Sequence, residues 1–172
     1  MKHPYFKRLL WATSLLFFSL GLITSPQLQA ADAEPAPHFK LPSFKATIDL
    51  NQYRGRLVYV DFWASWCVPC RKSFPWMTEL QKKYGSKLKV IAINLDKERD
   101  DAITFLKETK PRFSIAFDPD AKVADQYEVQ GMPSSYLIDP QGNIVSSHIG
   151  FRNGDQVEVE AKIDTLIQQY QL

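Results

Sequence analysis

Residues 57–70 read Leu-Val-Tyr-Val-Asp-Phe-Trp-Ala-Ser-Trp-Cys-Val-Pro-Cys. The first six are a nearly continuous apolar run of the length of a buried strand. The run is followed by two cysteines three positions apart, Cys67 and Cys70, which are the only cysteines in the chain. Any disulfide within the chain must therefore join these two. Such a bond closes too short a loop to tie distant parts of a fold together, so exchange with partners is its expected purpose rather than stability.

With 172 residues, 45% hydrophobic and 23% charged, the composition is that of one ordinary globular domain with a short extension. The formal net charge is +2. Lys2, Lys7 and Arg8 supply three positive charges at the very start, so the remainder carries about −1. That balance leaves no electrostatic footprint for nucleic acid.

Residues 1–30 have the order of a secretory signal peptide. A basic segment is followed by an uncharged apolar run over residues 9–23, then Ser25-Pro26 and small residues at Ala30, Ala31 and Ala33. Cleavage is expected after Ala30, with Ala33 as the other candidate. The alternative is an uncleaved inner-membrane anchor, for which the run is short against the roughly 20 residues a bilayer requires. No cysteine follows the run to carry a bacterial lipid anchor. The expected location is the periplasm, an oxidising compartment in which a dithiol needs a donor to stay reduced.

Residues 31–36 read as a linker in a proline-punctuated stretch that continues to Pro42, and the domain is expected over residues 37–172. A hairpin over residues 44–50 is expected to cover a sheet edge. A helix is expected over residues 67–84, with Phe74, Met77, Leu80 and Tyr84 at three- and four-residue spacing, and a buried strand over 88–95. A helix at 100–110, stopped by Pro111, leads to a strand at 113–117 and a short helix at 120–127. Strands at 135–138 and 144–149 flank the turn Asp139-Pro-Gln-Gly-Asn143. The last helix opens at Asp155 with a capping-box-like pattern to Glu158. This alternation predicts an α/β fold, a central mixed sheet flanked by helices.

Placing Cys67 at a helix N-terminus sets its sulfur among unpaired amides and at the positive end of the helix dipole. Both lower a thiol's pKa, so Cys67 is the expected nucleophile and Cys70, one turn deeper, the resolving thiol. Val68 and Pro69 between them add no charge, and Pro69 removes an amide donor. The thiolate is then less favoured than with a histidine there, which leans the pair towards a reductant. A structural zinc site would need a second ligand pair, which His3, His38 and His148 do not form. An inert buried pair is the other structural alternative.

Residues 60–70, the following Arg71-Lys-Ser-Phe-Pro-Trp-Met77 and Gly131-Met-Pro-Ser-Ser-Tyr-Leu-Ile-Asp139 resemble the exported TlpA/ResA-like branch of thiol-disulfide oxidoreductases in the thioredoxin superfamily. The likeness runs in order through roughly residues 36–172. It implies a thioredoxin fold with an added helix–strand unit near residues 100–117 and an N-terminal hairpin. It implies that Pro133 is a cis-proline whose loop faces the cysteines, with Met132 offering backbone groups to a substrate strand. Trp66, Gly150 and Phe151 would complete an apolar groove for an extended partner. Asp61 matches a buried acid that helps proton transfer at the resolving thiol, and desolvation should raise its pKa. The segment Ile91-Ala-Ile-Asn-Leu-Asp96 lacks the lysine that accompanies that acid in thioredoxin itself.

The expected function is reduction of disulfides in specific client proteins, among which apocytochromes and copper-site assembly proteins are candidates. A membrane-embedded thiol donor would restore the dithiol. No cofactor, metal or nucleic acid is required, and a monomer is expected. The alternatives are a thiol oxidant and a Cu(I)-binding metallochaperone, since soft thiolates suit Cu(I). Peroxiredoxin chemistry places Thr or Ser three residues before its reactive cysteine and Pro seven before. Those positions here are Ala64 and Val60.

Overall fold

A computed structural model describes residues 34–172; the expected signal peptide lies outside the described residues. Strand β4 (Leu57–Trp63) is the element around which the rest is arranged. All seven of its residues are buried, because it lies inside a six-stranded sheet ordered β1-β8-β7-β4-β5-β6. The other strands are β1 (Glu34–Pro35), β5 (Leu88–Asn94), β6 (Ser114–Phe117), β7 (Ser134–Ile138) and β8 (Asn143–Ile149). Strands β4, β5 and β6 are mutually parallel, while β7 runs antiparallel to β4 and β8 to β7. This is the thioredoxin-like mixed sheet.

Alternate side chains of β4 enter two separate cores, as the pleat dictates. Leu57, Tyr59 and Trp63 pack with helix α1 (Val68–Tyr84), helix α2 (Arg99–Thr109) and helix α4 (Asp155–Tyr170). The centre of this core is aromatic. The Trp63, Phe74 and Phe105 rings meet pairwise with centroids 4.7–4.9 Å apart. Val58, Val60 and Phe62 point the other way, towards Phe39, Leu41, Ile48 and Leu50 and the short helix α3 (Lys122–Gln126).

The added unit expected near residues 100–117 is present as α2 and β6, which extend the sheet beyond β5. Three local features differ from expectation. The hairpin begins earlier, pairing β2 (Lys40–Pro42) with β3 (Thr47–Asp49), and it covers a sheet face rather than only an edge. The five residues of α3 are too few to shield the even-numbered side chains of β4, and Leu41 and Ile48 complete that cover. At the sheet edge, Phe44 of the hairpin loop meets Phe117 edge-to-face at 5.1 Å.

Within the stretch expected as linker, Glu34 and Pro35 instead pair with Ile144 and Asn143. The third difference is at α4. Gly154, in the left-handed conformation at φ 104°, caps it without a side-chain bond. The Asp155 carboxylate turns back to accept from the Arg152 amide rather than forming a capping box.

The core makes a simple demand on α1. Phe74 is buried against Trp63, Phe105 and Phe113, so Phe74→Ala should cost about 3–5 kcal/mol. The shift in urea midpoint of the oxidised protein measures it, and Phe74→Leu should lose clearly less.

Candidate active site

Strand β4 delivers the chain to the start of α1 through Ala64, Ser65 and Trp66. The Trp63 carbonyl accepts from the Leu95 amide at 2.9 Å, which ends the strand, and the Cys67 amide donates to the Ala64 carbonyl at 3.1 Å. Cys67 is the N-cap of α1, with extended backbone and its sulfur accepting from the Cys70 amide at 3.2 Å. Pro69 occupies the first turn, where a missing N–H breaks no helical bond. The two cysteines form a disulfide with Cα atoms 5.3 Å apart.

The sulfurs sit at the edge of the aromatic core. Cys67 is 4% exposed and Cys70 fully buried. Beside them Trp66 and Val68 stand out into solvent, 70% and 69% exposed. Two apolar side chains thus stand exposed at the rim of a nearly buried disulfide.

The loop between β4 and α1 is held by a residue that sequence reasoning missed. The Asp96 carboxylate, buried just past β5, accepts from the Ser65 amide through both oxygens at 3.1 and 2.9 Å and from the Ser65 hydroxyl at 3.0 Å. Asn94 Nδ2 donates to it at 2.7 Å. This clamp fixes the backbone two residues before Cys67. The polar pair Asn94 and Asp96 at the end of an apolar strand was its only signal, and its partner lies 31 positions away in sequence.

Asp61 is buried on the same sheet face as Tyr59 and Trp63. Its Oδ2 has no hydrogen-bond partner, and neither has Trp63 Nε1. Burial holds the Asp61 carboxyl well above the usual carboxylate range. Among the described residues no cation offsets that desolvation.

The peptide bond between Met132 and Pro133 is cis. Met132 packs against the core that contains both cysteines. The Pro133 carbonyl accepts from the Gly150 amide at 2.7 Å, so the two expected groove segments are tied together. Phe151 packs at a tilt against Trp76 of α1 with centroids 5.5 Å apart. Trp76 itself is anchored by donation to Glu160 at 2.9 Å.

The family of the chain follows from comparison with known proteins. Residues 33–147 match the AhpC/TSA family, and the chain belongs to that family. Over 161 residues, 88% of this chain and 93% of the relative, it is 32% identical to a thiol-disulfide oxidoreductase ResA of Bacillus cereus. It is 38% identical to thiol:disulfide interchange protein CycY of Rhizobium leguminosarum bv. viciae over 71% of this chain and 64% of that one.

Among solved structures, the one assigned to thiol:disulfide interchange protein DsbE of Chlorobium tepidum superimposes with a TM-score of 0.77 at 43% identity, over 78% of this chain and 96% of that one. With its thioredoxin fold and CxxC pair, the protein is a thiol-disulfide oxidoreductase.

The unpartnered Asp61 carboxyl has a consequence for stability. Its pKa is raised on folding from the ordinary 3.8, so the folded state holds this proton more tightly than the unfolded one. Stability from this group is then fully present below about pH 3.8 and is lost as pH rises through the elevated folded value. Asp61→Asn, which cannot ionise, should be more stable than the parent at pH 8 and lose that advantage at pH 4. Urea midpoints of the oxidised proteins at the two pH values check this.

Proposed function

We propose that the protein is an exported dithiol reductant of disulfides in specific client proteins, with Cys67 attacking and Cys70 resolving. The observation that carries this reading is the geometry at the start of α1. The sulfur of Cys67 receives the Cys70 amide at 3.2 Å at the positive end of the helix, which favours the thiolate. The uncharged Val68-Pro69 pair limits that preference, so the dithiol is not held so firmly that it becomes a strong oxidant.

The cycle is balanced without a cofactor. The Cys67 thiolate attacks one sulfur of a client disulfide, forming a mixed disulfide and releasing the client's other sulfur as a thiolate. The Cys70 sulfur then attacks Cys67, the mixed disulfide breaks, and both client sulfurs leave reduced. Asp61 takes the proton that Cys70 loses. Trp66, Val68, Met132, Pro133, Gly150 and Phe151 contribute the surface on which an extended client segment lies.

Residues 1–30 act as the export signal that places the domain in the periplasm, with residues 31–33 linking it to the pairing at Glu34. Among the described residues no helix is long and apolar enough to cross a membrane. In an oxidising compartment a membrane-embedded thiol donor regenerates the dithiol. Apocytochromes and copper-site assembly proteins are clients of the right chemistry, since both carry cysteines that must be reduced before use. The domain acts as a monomer.

Cys70→Ala removes the resolving thiol and should accumulate a mixed disulfide with a synthetic peptide bearing a CxxC disulfide, seen as a mass adduct on Cys67. Absence of the adduct would remove Cys67 as the attacking thiol. Equilibration of the unsubstituted pair with glutathione should give a potential nearer the thioredoxin value of about −270 mV than the strong-oxidant value of about −120 mV.

A further inference from the structure

The loop between β8 and α4, residues 150–154, carries one part of the surface proposed for clients. Both of its ends turn on glycines at positive φ, Gly150 at 91° and Gly154 at 104°. Between them the half-buried Phe151 belongs to no strand or helix, so contacts of its side chain decide where it stands. Among the described residues its ring meets one other aromatic ring, that of Trp76, with centroids 5.5 Å apart.

Trp76 is itself held from three sides. Phe151 lies against it, Tyr59 of β4 meets it edge-to-face at 5.7 Å, and Glu160 Oε1 of α4 accepts from its Nε1 at 2.9 Å. The hydrogen bond is the directional contact of the three, and it singles out the orientation in which the indole N–H faces α4. The other oxygen of Glu160, Oε2, is 2.7 Å from Lys83 Nζ. The Lys83 ammonium and the Trp76 N–H hold the Glu160 carboxyl below the usual carboxylate range. One carboxylate therefore spans two turns of the helix that begins next to Cys67.

The docking of α4 does not depend on this side chain. Ile163 and Leu166 are buried in the core that α1 shares, and the Tyr84 hydroxyl donates to Asp164 at 2.9 Å. What the Glu160 carboxylate adds is the orientation of one indole. That indole backs Phe151, whose neighbour Gly150 donates to the Pro133 carbonyl at 2.7 Å.

We propose that Glu160 is a positioning residue for client binding: its hold on Trp76 fixes Phe151 and, through Gly150, the Pro133 side of the client surface. This rests on the reading of Met132, Pro133, Gly150 and Phe151 as client contacts. Trp76 stands on the helix that carries Cys70, and Phe151 on a loop that the client surface includes. The indole thus sets the spacing between the thiols and the rest of that surface. Loss of the Glu160 bond lets the indole turn and Phe151 move with it. The effect falls on binding of an extended segment and leaves the thiol chemistry at Cys67 untouched.

The test is steady-state reduction of a fluorogenic CxxC-disulfide peptide at a series of concentrations, with the protein recycled by excess dithiothreitol. Hydroxyethyl disulfide, too small to lie along a groove, is the control substrate. Glu160→Ala should raise the peptide KM about tenfold with kcat little changed, the pattern of lost uniform binding. Glu160→Gln, whose amide oxygen still accepts from the indole, should restore the parental KM. Lys83→Ala leaves the indole bond in place and should match the parent. None of the three should slow reduction of hydroxyethyl disulfide.

A parental KM in Glu160→Ala overturns the proposal. So does a KM in Glu160→Gln or Lys83→Ala as high as in the alanine variant, since the ion pair and not the indole bond would then matter. Equal slowing on hydroxyethyl disulfide overturns it too, because Glu160 would then be structural. Phe151→Ala separates these failures from failure of the underlying reading. A raised KM there beside a parental KM in Glu160→Ala keeps the client surface and removes the part of Glu160. A parental KM in Phe151→Ala beside a raised one in Glu160→Ala also overturns the proposal, since the effect would not pass through Phe151. Parental values in both remove the surface reading and the proposal with it. Should Glu160→Ala fold poorly, Trp76→Phe, which lacks the donor, takes its place; a raised KM supports the proposal and a parental one opposes it.

Discussion

The amide of Cys70 points at the sulfur of Cys67 across 3.2 Å, and the surrounding structure holds that arrangement in place. A helix start offers such an amide only if the chain enters it at the right angle. Here the entry is set from two sides. The buried strand β4 fixes where the chain leaves the sheet, and Asp96 grips Ser65 by three hydrogen bonds. Removing either would free the segment on which Cys67 sits. The aromatic core of Trp63, Phe74 and Phe105 then locks the far side of α1, so the helix cannot turn to relieve its first turn.

The same strand carries the largest electrostatic cost in the site. Six of the seven β4 residues are apolar or aromatic, and the seventh is Asp61, buried with one oxygen unpaired. An asparagine or a valine would fit the strand with less penalty. A carboxyl whose pKa is raised by burial keeps its proton to higher pH than an ordinary carboxylate, the property asked of a proton-transfer group. The proton transfer proposed for Asp61 would account for an ionisable group kept at this cost inside the strand.

Much of this was legible in the sequence because its signals are local. The apolar run before Cys67, the spacing of Phe74, Met77 and Leu80, and the Asp139–Asn143 turn each depend on neighbours a few residues away. What was not legible depends on register or on distant partners. Asp96 reads as an ordinary strand-end acid until the fold brings Ser65 to it. The Asp155 pattern misled for a different reason: Gly154 at positive φ already caps α4, so the carboxylate one position on is free to turn back to Arg152. The start of the hairpin was hidden by Pro42, which argues against a strand yet is tolerated at the end of an edge strand.

The central claim is that the start of α1 makes Cys67 the nucleophile, and thiol titration tests it most directly. The alkylation rate of each cysteine in the reduced protein, followed by mass spectrometry as a function of pH, reports the two thiol pKa values separately. Cys67 should react first, with a midpoint below the ordinary thiol value of about 8.5, while Cys70 stays protected well above it. Equal reactivity, or a Cys67 midpoint at or above that ordinary value, would contradict the account.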